Sequence, residues 1–206
     1  MVHGPRTAAS YHRGDKDVST AVRLRLHPGW GRAALGLPID EITDQIVSLR
    51  DLWGASGRQL ASASSPVGGE PERLIARLGG VLHARLSTLS ARDEAQARLA
   101  RAATDQLNSA APSRPPLVGD IAYRLNISER QLRDIFSRTV GVSPKRFARI
   151  QRVRTVLSSV GHRPLARLAH EIGYYDQSHM TAEFRTTMGT TPRAFIAGQR
   201  PAPTGC

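Results

Sequence analysis

Apolar side chains in the second half of the chain recur with a helical period. Val118, Ile121, Ala122 and Leu125 line one face of a short helix, and Leu132, Ile135 and Phe136 line a second, with Asn126 and Ile127 as the turn between them. Ser128, with Gln131 three residues on, has the form of a capping box at the start of the second helix. The arrangement recurs downstream. Leu165, Leu168, Ala169 and Ile172 follow Pro164 at helical spacing, and Gly173 interrupts them. Met180, Phe184 and Met188 then stand at i, i+4 and i+8, with Asp176 placed to cap that helix. Each pair reads as helix, short turn, helix. Each also ends alike, in GVSPKRF from Gly141 to Phe147 and GTTPRAF from Gly189 to Phe195. Two matched units about fifty residues apart form an internal repeat. Between them the spacing predicts a long helix from about Lys145 to Val160. It would bury Phe147, Ile150, Val153 and Leu157 and carry Arg146, Arg149, Arg152 and Arg154 on its other face.

The first half is patterned differently. Thr20 to Leu26 alternates Val22, Leu24 and Leu26 with Arg23 and Arg25, which predicts a strand with one buried face. His27-Pro28-Gly29 turns the chain. Pro38 and Asp40 suit a helix start, and Ile42, Ile46, Leu49 and Leu52 supply a stripe up to Trp53-Gly54, with one more turn at Gln59 to Ala63. Ser64 to Pro71 is a loop by composition. Glu72 to Leu89 reads as a helix with Leu74, Ile75, Leu78, Leu82 and Leu86 inward. Ala91 to Leu107 reads as another, with Ala95, Leu99, Ala102 and Gln106 on one face and Asp93 and Glu94 in the first turn. Ala111 to Pro116 is a stiff linker. The expected fold is mostly α. Residues 1–90 form an N-terminal part holding a lone strand and helices, and residues 91–200 form a tandem helix-turn-helix domain of about seven helices.

Charge sharpens this picture. The net charge is +12 and the pI is near 11.3. Residues 91–200 hold 18 basic and 9 acidic side chains, a net of +9, and the remainder carries +3. A basic concentration over the repeat suits a partner made of phosphates. The single cysteine, Cys206, excludes a disulfide framework and a cysteine zinc site within the chain and fits a cytoplasmic setting. No apolar run approaches the roughly 20 residues of a membrane span, and the first residues lack the apolar segment of a secretory signal. No Ser/His/Asp set, paired carboxylates or Gly-rich phosphate loop is present. A DNA alkyltransferase would need an activated cysteine, and Cys206 stands last in the sequence. The expectation is therefore a non-enzyme without metal or cofactor.

The tandem units, with GYYDQSH from Gly173 to His179 and the later GTTPRAF, resemble the DNA-binding region of the AraC/XylS family of transcription regulators. The resemblance covers about Ala91 to Gln199. It implies a sequence-specific regulator of double-stranded DNA whose second helix in each unit enters a major groove. The base-reading positions it implies are Arg130, Gln131 and Arg133 in the first unit and Gln177, Ser178, His179 and Thr181 in the second. Arg130 and Arg133 share a face, and arginine presents a fork of donors that matches guanine O6 and N7. Phosphate contacts are expected from Ser143, Arg146, Arg149, Arg185 and Arg193. Ala182 and Ile196 depart from the family pattern, which often has a polar residue or arginine there. The N-terminal part resembles a shortened remnant of a sensor or dimerisation region, implying a homodimer through it, and RNA polymerase is a further candidate partner. The competing reading is a nonspecific architectural DNA binder, or a vestigial regulator without its sensor.

Overall fold

Helices bury the apolar stripes of this chain, and a two-residue strand pair ties one stretch of irregular backbone to the N-terminus. The computed structural model describes residues 1–11, 22–62, 71–109 and 116–201. The chain divides into two compact units whose segments interleave. The Ser64–Pro71 loop and the Ala111–Pro116 linker lie outside the described residues except for Pro71 and Pro116, as do Thr20, Ala21, Ala63 and Cys206.

The first unit takes residues 1–5, 14–101 and 134–141. Strand β1 (Val2–His3) pairs antiparallel with β2 (Ile46–Val47), placing Val2 opposite Val47. Helix α1 (Gly31–Leu35), a 3-10 turn at Ile39–Ile42, α2 (Leu49–Ser62), α3 (Pro71–Leu86) and the start of α4 (Ala91–Ser109) complete it. Ala34, Leu35, Ile39, Ile42, Trp53, Leu60 and Leu82 form its core. The Arg85 guanidinium lies 5.2 Å from the centre of the Trp53 ring and donates to the carbonyls of Ala34 and Leu35.

Four expectations are corrected here. Val22 to Leu26 is not a strand: Arg23, Leu24 and Arg25 are exposed and no neighbouring strand pairs with them, so the edge expected for dimer pairing is absent from these residues. The stripe from Pro38 to Trp53 is not one helix. Thr43 is extended and Asp44 adopts φ 61°, because its N–H donates to Pro5 and the Gly4 N–H donates to Gln45, and these bonds to the N-terminal strand replace helical ones. In α3, Ile75 faces outward at 52% exposure, and only Leu82 of the five expected positions is buried. In α4 the buried line is Ala97, Ala100, Ala103, Thr104 and Leu107, one position round from the predicted face. Small side chains suit it: a Cβ on Gly29 would lie 2.9 Å from the Ala97 carbonyl oxygen, so backbone passes directly over this face.

The second unit takes residues 6–13, 102–133 and 142–206. It holds α5 (Val118–Arg124), the start of α6 (Glu129–Val140), α7 (Pro144–Ser159), α8 (Leu165–Glu171), α9 (Gln177–Met188) and α10 (Pro192–Ile196). Helices α4 to α10 form the tandem helix-turn-helix arrangement. The repeat is visible bond by bond. Asn126 (φ 60°) and Gly173 (φ 78°) make the two turns. Ile127 N–H donates to Ala122 in one, and Tyr174 N–H donates to Ala169 in the other. Gly141 (φ 88°) and Gly189 (φ 70°) close α6 and α9 in the left-handed conformation that glycine tolerates. Ser143 and Thr191 then cap α7 and α10, each followed by proline at the first helical position.

Val153, Val156, Leu168, Ala169, Ile172, Tyr174, Met180, Phe184 and Met188 form the core of this unit, and Phe195 stands edge-on to Phe184 at 5.9 Å. Val156 is buried in α7, whereas Ile150 and Leu157 are only half-buried. Residues Thr7 to Tyr11 belong to the same unit. Ala9 N–H donates to Thr187 and the Tyr11 hydroxyl to Met188, which supplies donors to carbonyls that the end of α9 leaves unpaired. Among the described residues no helix is long and apolar enough to cross a membrane.

Candidate nucleic-acid interface

The outer face of α6 begins at its cap. Ser128 Oγ accepts from Gln131 N–H at 3.1 Å, and Gln131 Oε1 accepts from Ser128 N–H at 3.0 Å, which is the capping box predicted from the sequence. Gln131 Oε1 also accepts from the Ser128 hydroxyl, so its carbonyl is occupied by the cap and its amide NH2 remains as a donor. Arg130 is exposed and has no side-chain partner among the described residues. Arg133 is exposed but donates to Glu129 one turn earlier. Asp134 pairs with Arg138 at 3.1 Å in the same i,i+4 manner. Leu132 and Phe136 are fully buried on the opposite side, which fixes the direction in which Arg130 and Arg133 point.

In α9 the same logic gives a different surface. Asp176 Oδ1 accepts from His179 N–H at 2.7 Å and starts the helix. Met180, Phe184 and Met188 turn inward. Gln177, Ser178, Thr181, Ala182, Arg185 and Thr186, with Thr191 from the next cap, line an open hollow of about 820 Å³. Three of the four predicted α9 readers therefore share one concave face. His179 does not line it. Its ring stands edge-on to Tyr174 at 5.4 Å and 88°, although the residue is exposed. The departure at Ala182 sits within the hollow and leaves room there.

The cations divide by partner. Arg185, Arg193 and Lys145 are exposed, with no side-chain partner among the described residues. Ser143 is the α7 cap, accepting from Arg146 N–H at 3.2 Å, and the Arg146 guanidinium donates to the Thr7 carbonyl at 3.0 Å. Arg163 and Arg167 both bond Glu171, at 2.5 and 2.9 Å. The Arg167 hydrogen bond, followed by that of Arg163, holds the Glu171 carboxyl below the usual range. Arg149 Nε and Arg152 Nη2 converge on Glu183 Oε2 at 3.1 and 2.9 Å.

Glu183 was not legible as a site residue. It is only 4% exposed, its other oxygen accepts from the Tyr174 hydroxyl at 2.9 Å, and Arg152 lies 4.9 Å from the centre of the Tyr174 ring. Burial, then the Glu183 charge and hydrogen bond, push the Tyr174 hydroxyl well above the ordinary phenol range. The sequence signal was present: a carboxylate three residues after Met180 stands on the inward side of the helix, where α6 has Ile135 at the matching position. Among the described residues no cluster of His, Cys, Asp or Glu is arranged to hold a metal.

Comparison with known proteins bears on this geometry. Residues 121–198 match the model of a helix-turn-helix domain family, well under half of the chain. Solved structures resemble it over about half its length. One is the C-terminal domain of AraT, a response regulator from Geobacillus stearothermophilus, with 17% identity, 52% of this chain and 91% of that chain covered, and TM-score 0.46. A transcriptional regulator with an AraC-type DNA-binding domain from Chromobacterium violaceum has 20% identity, coverage of 51% and 96%, and TM-score 0.46. A probable AraC family transcriptional regulator from Rhodopseudomonas palustris has 24% identity, coverage of 50% and 99%, and TM-score 0.43. No curated protein matches the chain. The match over residues 121–198 spans both capped helix pairs, so this stretch of the chain is similar to a family of helix-turn-helix domains.

Proposed function

We propose that this chain is a sequence-specific, double-stranded DNA-binding transcription regulator that inserts α6 and α9 into successive major grooves. The observation that carries the proposal is the repeat itself: two helices of equal length, each capped at its start by a side chain and each left through a left-handed glycine, joined through α7. In such a motif the start of the second helix reaches base edges. Arg130 and Arg133 then read guanine from α6, with the Gln131 amide NH2 as a further donor. Gln177, Ser178 and Thr181 read from α9, and His179, edge-on to Tyr174, reaches the DNA only at the margin of that face. Arg185 and Arg193, which lack internal partners among the described residues, are the main phosphate contacts; Ser143 and Arg146 add backbone contacts near the start of α7.

The two helices are unequal readers. Two arginine forks on α6 discriminate strongly, whereas on α9 only the Gln177 amide can pair a base edge twice, and the hydroxyls of Ser178 and Thr181 and the methyl of Ala182 discriminate weakly. A pool of random duplexes selected on the chain should therefore yield two blocks of unequal information. A pool that yields no preferred sequence supports instead the second reading, a nonspecific architectural binder, for which the sparsely functional α9 hollow is the favouring observation.

A further inference from the structure

Among the described residues of the second unit, the least exposed charge stands on the inward side of α9. Glu183 is 4% exposed and takes three donors: Arg149 and Arg152 from α7, and the Tyr174 hydroxyl from the turn before α9. Arg149 and Arg152 stand three residues apart on α7, so both reach the same carboxylate. Arg152 is largely covered, at 20% exposure, and lies over the Tyr174 ring. Arg149 is 39% exposed and so remains within reach of solvent or of a phosphate. A buried carboxylate left without cations is costly, so Glu183 binds Arg149 more firmly than a solvated acid would. In α6 the matching position is Ile135, so the first helix pair has no carboxylate there.

We propose that Glu183 is a specificity-determining residue that withholds Arg149 from the DNA backbone. A cation over a phosphate strengthens binding to every duplex alike, whereas base contacts alone separate one sequence from another. With Arg149 held inside, the weak polar readers on α9 contribute a larger share of the energy. Glu183 thereby also ties the reading helix to α7 through groups that do not touch DNA. This inference rests on the reading of α9 as a groove-inserted helix.

The test measures affinity against salt for the full chain, on its selected duplex and on random duplex. Each phosphate neutralised adds about 0.9 to the slope of log K against log salt. Arg185→Ala, the control, should flatten the slope by about 0.9. Arg149→Ala should leave it unchanged. Glu183→Gln, which keeps the shape and one acceptor but removes the charge, should steepen it by about 0.9 and lower the ratio of specific to random affinity. Adding Arg149→Ala to Glu183→Gln should restore the wild-type slope. If Arg149→Ala flattens the slope as Arg185→Ala does, or Glu183→Gln leaves it unchanged, the withholding role is overturned while the DNA-binding reading stands. If Glu183→Gln fails to fold by circular dichroism, Arg149→Ala decides alone, because Arg152 and Tyr174 still pair the carboxylate. A wild-type chain that binds no duplex overturns the functional reading and this proposal with it.

Discussion

Arg130 and Arg133 project from the same surface of α6 but are not equivalent. Arg130 has no side-chain partner among the described residues, while Arg133 is tethered to Glu129. An exposed pair one turn apart is worth only about 0.3–0.5 kcal/mol. A bidentate contact to guanine is worth about 1–3 kcal/mol of discrimination, so under the proposed reading a guanine would draw Arg133 away from Glu129. Arg130→Ala and Arg133→Ala should each cost about 1–3 kcal/mol on the selected duplex and relax preference at one or two base pairs, measured by titration against single-site variants. Tyr174 supports a different prediction. Its hydroxyl is held above the ordinary value of 10.0, so the folded state binds that proton more tightly than the unfolded chain. The resulting stability is fully present below pH 10.0 and is lost as pH rises toward the folded value. Thermal melts above pH 10.0 should fall less steeply for Tyr174→Phe than for wild type. At this scale the sequence was half legible. Side-chain type and helical spacing exposed Arg130 and Arg133, but the partners of Arg149 and Arg146 depend on where another helix and the N-terminal segment place their acceptors.

Caps and turns decide the elements, and they are local enough to be read in advance. Ser128 with Gln131 and Asp176 before α9 both act as predicted, because a cap needs only its own next three residues. Asp176→Ala should cost about 1 kcal/mol by urea unfolding, with the slope against denaturant unchanged. Gly141 and Gly189 offer an internal comparison. Both occupy the left-handed region, where a Cβ costs about 1–2 kcal/mol. A Cβ on Gly141 would also lie 2.5 Å from Pro5 and 2.8 Å from Ile39, whereas on Gly189 its nearest neighbour is Pro201 at 3.0 Å. Gly141→Ala should therefore destabilise more than Gly189→Ala in the same unfolding assay. The elements that the sequence misrepresented are those settled by distant strands. Val22 to Leu26 has the alternation of a strand, yet β2 pairs with Val2 and His3 instead, and the same pairing breaks the helical stripe at Asp44. Alternation and stripe are local patterns, and neither encodes which partner is available.

Over the whole molecule, most of the net charge lies in the repeat region, and much of that charge is already engaged. Glu171 and Glu183 together take four arginines, and Glu129 and Asp134 take two more. On α6 to α10, Arg130, Lys145, Arg185 and Arg193 remain exposed without a side-chain partner among the described residues, a small set of cations and not a uniform basic surface. The central claim is that one chain reads two neighbouring grooves through two helices of one build. Chemical footprinting of a single chain on its selected duplex tests this most directly. The account predicts two protected patches on one face of the DNA, about 10–10.5 base pairs apart, the stronger one weakened in Arg133→Ala. A single protected patch, or protection spread evenly around the duplex, would contradict it.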